Sequence, residues 1–511
     1  MLYAHQIAEE IASGRMSARE AVTGCIRRIE ATRATLNAVV VARFDEALKE
    51  ADEADEARAR GEVLGPLHGV PVTIKESFDL AGSPTTAGLT HRAGHRAASD
   101  AWVVARLREA GAIVLGKTNV SQLLLHDSCG NPLYGQTNNP WRLDRSPGAS
   151  SGGEAAILAV GGSALGIGSD IAGSIRLPAD ACGVHALKPT SGRLPLEGHL
   201  SVAAHQESAL CQPGPLARSV RDLALAMRVL TDAAARDTNA ETHSWRTLDT
   251  SGLRRLRIAF YTDNEVVKPA PAIRRAVTSA ARALEGLGLT VEEWRPPNAY
   301  QMWGVYCSLL FSDGFRSLRR IARGSKLSPN VRQVLRLGSL PKMAFPIVAG
   351  VCRIAGQPQI ADGIRYVTPL DGEEHGEMLD RRASLSRAFI NAMDDAGIDA
   401  ILCPVFATPA VHHRMDPLIN GALSYTAIFN LLGMPAGTVA ATRVRSGEES
   451  DRTPGMDLVG RAAKRVEIGS AGMPVGVQVA ARPWREDVAL AVMTALEEHF
   501  RAQPDYPAQP P

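Results

Sequence analysis

Residues 145–193 limit the fold more than any other block, because glycine, serine and alanine dominate there while apolar runs (AAILAV, ALGIG) persist between them. A flexible linker is rich in small residues but does not carry such runs. Small residues beside apolar ones let a backbone approach another backbone, or a ligand, closely. The block is therefore read as packed protein and not as a tether.

The flanking sequence alternates between helical and strand patterns. Ser17-Ala18-Arg19-Glu20 is a capping box, and Ala21, Val22, Cys25, Ile26 and Ile29 follow at helical spacing. Charge-rich Ala47–Arg60 continues as helix to Gly61. Gly69–Lys75 (GVPVTIK) and Gly111–Leu115 (GAIVL) then read as short buried strands, with a helical segment at 100–110 between them. This alternation predicts an α/β protein. Residues 215–234 read as an amphipathic helix and Leu253–Tyr261 as the start of another strand. Residues 397–442 resume buried strands and turns, and the last ten residues, with four prolines, read as a frayed tail. The expected organisation is a helical segment at 1–62, an α/β domain at 63–495 with an insert at 314–361, and a tail at 496–511.

Composition narrows the function classes. With 511 residues, 45% apolar and 22% charged, the chain can bury a large core, and a net charge of +2 gives no reason to expect a nucleic-acid partner. Aromatic residues at 5% are thin for base stacking. Seven cysteines lie far apart with no C-x-x-C pair, so neither a disulfide framework nor a zinc site is expected, and dispersed thiols suit the cytoplasm. The N-terminal MLYAHQIAEEIASGRM has no signal-peptide pattern, and no run of about 18 apolar residues predicts a membrane span.

Two motifs fail on context. Gly111–Thr118 fits G-x-x-x-x-G-K-[ST], but a helix precedes it and a β-type apolar run fills it, where a phosphate loop must follow a strand. Gly148-Ala149-Ser150-Ser151-Gly152 fits G-x-S-x-G, but the preceding NNPWRLDRSP is polar and broken by prolines, not the strand a nucleophile elbow needs. No histidine stands out as its partner, and adjacent His412 and His413 favour neither a helix face nor a metal pair.

A different trio fits chemistry better. Lys75 ends an apolar strand, where desolvation would lower its pKa and leave a neutral amine able to act as a base. Ser150 and Ser151 lie in a glycine loop just before a helical segment. Ser174 follows Asp170-Ile171-Ala172-Gly173, a second small-residue turn whose successive N–H groups could form an oxyanion hole. A serine hydroxyl needs a neighbouring base before it attacks. Taken singly, each residue has an ordinary role: strand-end lysines reach solvent or a carboxylate, and loop serines cap helices.

One further segment is unusual in charge. Gly314–Ala361 holds no acidic residue and nine basic ones, interleaved with large apolar residues such as Leu335, Leu340, Met343, Ile347, Val351 and Ile354. It fits either a solvated helical hairpin or a surface that lies on anionic lipid.

Together, Gly69–Glu76 (GVPVTIKE), Gly116–Ser121 (GKTNVS), Ser146–Glu154 (SPGASSGGE), Gly168–Pro178 (GSDIAGSIRLP) and Gly183–Arg193 (GVHALKPTSGR) resemble the amidase signature family. Gly214–Arg218 (GPLAR) and Gly397–Pro404 (GIDAILCP) fit the same pattern, and the resemblance is weakest over 235–395. It implies the amidase signature fold, a mixed twisted central sheet covered by helices on both faces. It also implies a hydrolase of linear amides that uses no metal or organic cofactor. Lys75 would be the base, Ser150 the bridging serine after a cis peptide, and Ser174 the nucleophile. The N–H groups of Ile171, Ala172, Gly173 and Ser174 would form the oxyanion hole, with Ser151, Asp170 and Arg176 supporting the loops.

The family usually has glycine where this chain has Ala149 and Ala172; if position 172 needs φ > 0, alanine would cost roughly 1 kcal/mol or more. Tyr425–Thr438 and Gly476–Val488 look most like the fatty acid amide hydrolase branch. That likeness puts Leu124 and Leu125 in an acyl pocket and favours the interfacial reading of Ser328–Gln357. The expected partner is a small-molecule amide with a fatty acyl or aryl group, or an ester, alongside peripheral membrane contact and a homodimer. An amidotransferase subunit releasing ammonia from glutamine, and a non-catalytic binding protein, are the alternatives.

Overall fold

Alternate residues of the central strands enter different hydrophobic clusters, which sets the layering of the molecule. In β9 (Ala400–Cys403), Ala400 and Leu402 join one cluster while Ile401 and Cys403 join another. In β11 (Pro474–Ala481), Val475, Val477, Val479 and Ala481 face the first cluster and Ala480 the second. Side chains on a strand alternate between its two sides, so a sheet covered on both faces needs apolar residues throughout. Helices Pro271–Gly286 and Glu486–Arg501 fill the first cluster; Ala299–Leu310 and Ser424–Leu431 fill the second.

The computed structural model describes residues 1–511 apart from 63–64, 126–127, 201–209, 238–243, 247–251, 414–416 and 454. Besides β9 and β11, the sheet contains β1 (Val39–Ala42), β2 (Pro71–Lys75), β3 (Ile113–Thr118), β4 (Leu165–Asp170), β5 (His185–Lys188), β6 (Gln212–Ala217), β7 (Arg257–Phe260), β8 (Thr290–Glu293) and β10 (Ala436–Arg443). These eleven strands run in the order β1-β3-β2-β4-β6-β5-β10-β11-β9-β7-β8. β2 pairs in parallel with β3 and β4, and β7 with β8 and β9; the other neighbours are antiparallel. The expected mixed sheet with helices on both faces is what forms.

The capping box also forms. Ser17 Oγ accepts from Glu20 N–H at 3.0 Å while Glu20 Oε2 accepts from Ser17 N–H at 2.8 Å, which satisfies two donors at the start of Ala18–Leu36. Of the run expected as a strand at Gly111–Leu115, Ile113–Leu115 are extended while Gly111 is a turn with φ of 93°, and Lys117 in the same strand is buried, donating to Thr85 Oγ1 at 2.9 Å.

Several segments differ from the sequence reading, among them Leu253–Arg255, a 3₁₀ turn that precedes the strand Arg257–Phe260. Residues 215–217 belong to β6, and the helix starts only at Val220. Gly214 permits this, since a Cβ there would lie 2.2 Å from the Leu187 carbonyl oxygen of the adjacent strand. Ser424–Leu431 is a fully buried helix, not a strand; a short segment buried on all sides carries no one-sided apolar period to tell the two forms apart. Residues 502–511 are docked, not frayed. Asp505 accepts from Thr442 Oγ1 at 2.8 Å and from Arg445 at 2.9 Å, and Pro507 is buried. The boundary expected at 495/496 falls inside the helix Glu486–Arg501, and that at 62/63 adjoins residues outside the described set.

The insert at 314–361 is a set of short helices and not one hairpin: Arg316–Ala322, Pro329–Leu337 and Ala344–Ile354, with Pro358–Tyr366 opening just before its end. Phe315, Leu318, Val331 and Leu335 pack with Ala87, Leu89 and Leu123 in a third cluster. Among the described residues, no helix is long and apolar enough to cross a membrane.

Deleting residues 505–511 removes the Asp505 hydrogen bonds and the docked Pro507. We expect a loss of about 1–3 kcal/mol in denaturant unfolding; an unchanged midpoint would show that the tail adds no stability.

Candidate functional site

β2 and β4 run parallel side by side, so their C-terminal ends present Lys75 and Ser169-Asp170 on the same edge. Crevices at the carboxyl ends of strands are common ligand sites in α/β sheets. Lys75 is fully buried. Its Nζ donates to Ser150 Oγ at 2.7 Å, to Ser169 Oγ at 2.9 Å and to the Ser169 carbonyl at 3.1 Å. Burial lowers its pKa to about 8, against the opposing pull of Cys211, Asp170, Cys129 and Glu154. Hydrogen bonds to uncharged oxygens leave that desolvation uncompensated.

Ser150 follows a cis Ala149–Ser150 peptide and precedes the helix Gly152–Ala159. Ser151 ties this loop to the next: its N–H donates to the Ser174 carbonyl at 3.1 Å and its Oγ to the Ser169 carbonyl at 3.5 Å. Ser150 and Ser174 line the same cavity wall. Among the described residues, no hydrogen bond joins their two hydroxyls.

Asp170 and Arg176 form a fully buried pair that shapes the second turn. Arg176 donates from Nη2 to Asp170 Oδ1 at 2.9 Å and from Nε to Oδ2 at 3.0 Å. Burial would raise the Asp170 carboxyl, but the Arg176 guanidinium overrides it and holds the group well below the usual carboxylate range. The Gly173 N–H also donates to Asp170 Oδ1, at 2.7 Å. This corrects the expected oxyanion hole: Gly173 is committed to the carboxylate. Among the described residues, the N–H groups of Ile171, Ala172 and Ser174 meet no protein acceptor.

The alanines sit where they carry no backbone penalty. Neither Ala149 nor Ala172 has positive φ, whereas Gly173 has φ of 118° and a Cβ there would lie 2.5 Å from Thr426 Oγ1. The left-handed requirement therefore falls on the residue after Ala172, which remains glycine.

Leu124 and Leu125 line a cavity of about 710 Å³ that opens from Ser174 and continues past Trp303, Tyr306 and Phe311. Leu123 and Leu124 hold φ of 57° and 56°, uncommon for leucine; Leu123 packs in the third cluster while Leu124 lines the cavity. Tyr306 Oη donates to the Ile171 carbonyl at 2.9 Å and Thr426 Oγ1 to the Ala172 carbonyl at 2.6 Å, fixing the turn.

Sequence reasoning missed Ser169, His199, Tyr306, Thr426, Asn430 and Gln478. Ser169 had a signal, since it directly precedes Asp170 at a strand end. Asn430 donates to the Asp170 carbonyl at 3.1 Å, and Gln478 accepts from Arg176 at 2.6 Å, but both lie hundreds of residues away in sequence.

The sequence model of the Amidase family matches residues 20–490. The chain is 32% identical to fatty-acid amide hydrolase 1 of Sus scrofa over 96% of this chain and 84% of that protein. It is 30% identical to a component of the glutamyl-tRNA(Gln) amidotransferase of Chloroflexus aurantiacus over 95% of this chain and 94% of that one. A solved fatty acid amide hydrolase superposes with a TM-score of 0.85 at 27% identity, covering 98% of this chain and 85% of that chain. With a family match across nearly its whole length and these serine and lysine loops at one sheet edge, the chain belongs to the amidase family and is an amide hydrolase similar to the fatty acid amide hydrolases.

Proposed function

We propose that Lys75, Ser150 and Ser174 form a proton relay that cleaves apolar amides through an acyl-serine intermediate. The observation that carries this reading is the 2.7 Å contact between a desolvated lysine amine and Ser150 Oγ. Neutral Lys75 takes the Ser150 proton as Ser150 takes that of Ser174, and Ser174 Oγ attacks the amide carbonyl. The hydroxyl pair closes once substrate aligns the nucleophile, since catalytic hydrogen bonds are often long without substrate. Negative charge on the carbonyl oxygen meets the N–H groups of Ile171, Ala172 and Ser174, and one such donor is worth about 10²–10³ in kcat. The proton then returns through Ser150 to the departing amine, which is too basic to leave as an anion. Water, activated by the same relay, releases the acid from Ser174. The relay draws on no metal or organic cofactor.

The cavity supports a fatty acyl or aryl amide, or the corresponding ester, as substrate. Its walls near Ser174 are Leu124, Leu125, Ile171, Tyr306, Leu310 and Phe311. Glutamine would need partners for a charged ammonium and carboxylate; among the described residues the walls of this stretch are apolar apart from the Tyr306 hydroxyl, which supports hydrolysis of apolar amides over the amidotransferase reading.

Peripheral attachment of a cytoplasmic enzyme to anionic membranes is supported by helix Ala344–Ile354. Ile347, Val351 and Ile354 recur on one helix face and are 68%, 63% and 90% exposed. Basic Arg332 and Arg336 are exposed on the neighbouring helix.

A fluorophosphonate is expected to modify Ser174, and peptide mapping that finds the adduct on another residue contradicts the nucleophile assignment. Below the Lys75 pKa of about 8 the ammonium form cannot accept a proton, so kcat/KM should rise about tenfold per pH unit and level off above it. Lys75→Met should lose at least about a hundredfold in kcat; retained turnover contradicts the relay. Ile347→Asp/Val351→Asp should abolish flotation with anionic vesicles at low salt while hydrolysis of a soluble short-chain amide persists; undiminished flotation excludes this helix as the contact.

A further inference from the structure

We propose that His199 is a positioning residue that directs the lone pair of Lys75 toward Ser150 by fixing the hydroxyl of Ser169. The inference rests on the lysine relay proposed above and adds a residue outside it. Four groups form an unbroken chain: His199 Nε2 lies 2.9 Å from Ser169 Oγ, Ser169 Oγ 2.9 Å from Lys75 Nζ, and Lys75 Nζ 2.7 Å from Ser150 Oγ.

The direction of these bonds follows from counting protons. A neutral lysine amine has two N–H donors and one lone pair. Two of its three contacts are on Ser169, the carbonyl oxygen at 3.1 Å and the hydroxyl oxygen. The carbonyl can only accept, so it takes one N–H. The Ser169 hydroxyl can either accept the second N–H or turn its own proton onto the amine lone pair. The second arrangement would occupy the lone pair that must receive the Ser150 proton. An acceptor on the far side of Ser169 decides between them, and His199 Nε2 is placed there. With the Ser169 hydroxyl donating its proton in a hydrogen bond to Nε2, the Ser169 lone pairs take the lysine N–H, and the amine lone pair is left for Ser150.

This role requires a neutral imidazole protonated on Nδ1. Desolvation lowers the His199 pKa to about 3, with repulsion from Lys75 adding to this only while that amine is charged, so the ring remains neutral in the working range. Among the described residues, the titratable groups that act on Lys75 include Asp170, Glu154, Cys129 and Cys211. Asp170 is committed to Arg176, and the Glu154 carboxyl accepts from Thr73 and Thr118 hydroxyls. The ring is held in place independently. His199 bridges to Phe78, just beyond Lys75, with the ring centroids 4.7 Å apart, and the Leu200 N–H donates to the Ser77 carbonyl at 2.8 Å.

The test compares His199→Phe, which keeps a ring against Phe78 but cannot accept, with His199→Gln, whose amide oxygen can reach the Nε2 position. Both are assayed across pH in the full-length enzyme, alone and with Ser169→Ala. His199→Phe is expected to lower kcat about tenfold or more with KM changed less than twofold, and to displace the pH midpoint. His199→Gln should recover most of the rate and the original midpoint. In the Ser169→Ala background His199→Phe should have no further effect on the pH profile. Three results would each overturn the proposal: wild-type kcat and pH profile in His199→Phe, equal loss in Phe and Gln variants with unmoved midpoints, or a full additional loss without Ser169. Lys75→Met is run alongside. If it retains turnover the relay itself falls; if it is inactive while His199→Phe matches wild type, only the positioning role falls.

Discussion

An amine buried among neutral oxygens, with the nearby carboxylate already paired elsewhere, is the constraint on which the site depends. Lys75 sits one strand from Asp170, and a direct ion pair would hold the lysine charged. Instead Arg176 binds Asp170 through two nitrogens, and Gly173 and Asn430 add further donors. Lys75 is left with Ser150 and Ser169, which compensate little for its desolvation. The fold thus keeps a full charge pair and an amine that loses its proton at about pH 8 side by side in one core. Removing one member of a buried pair costs about 3–5 kcal/mol, so Asp170 and Arg176 matter for stability as well as for shape.

Close packing of small residues makes this arrangement possible. A Cβ on Gly148 would lie 2.7 Å from Pro178 Cα, and Gly148 itself has φ of 78°. The two serine loops therefore meet backbone to backbone, with Ser151 N–H bonded to the Ser174 carbonyl. Larger residues would separate Ser150 from the turn that carries Ser174. The alanines at 149 and 172 fit because the left-handed positions fall on the glycines next to them.

Much of this was legible in the sequence where signals were local. The capping box at Ser17, the strand ending in Lys75 and the apolar, glycine-rich block around Ser150 and Ser174 each carry their own pattern. Gly173 was less legible: its N–H was expected to face substrate, but the short reach from Asp170 claims it, and no spacing rule reveals that competition. Ser424–Leu431 was misread because all eight residues are buried, polar Ser424, Thr426 and Asn430 included, so no one-sided apolar period distinguishes helix from strand. The docking of Asp505 and Pro507 was hidden because a proline-rich terminus reads as disordered unless its distant partners, Thr442 and Arg445, are known. His199 had no sequence signal, since its importance comes only from the chain reversal that brings it beside Phe78.

The ionisation of Lys75 tests the account most directly. An isotope-edited NMR titration of the lysine side chains, with the Lys75 signal assigned by its absence in Lys75→Met, would follow that amine alone. The account predicts a midpoint at about 8. A midpoint near the unperturbed lysine value of about 10.4 would contradict it, because the amine would then remain protonated where the relay requires a base.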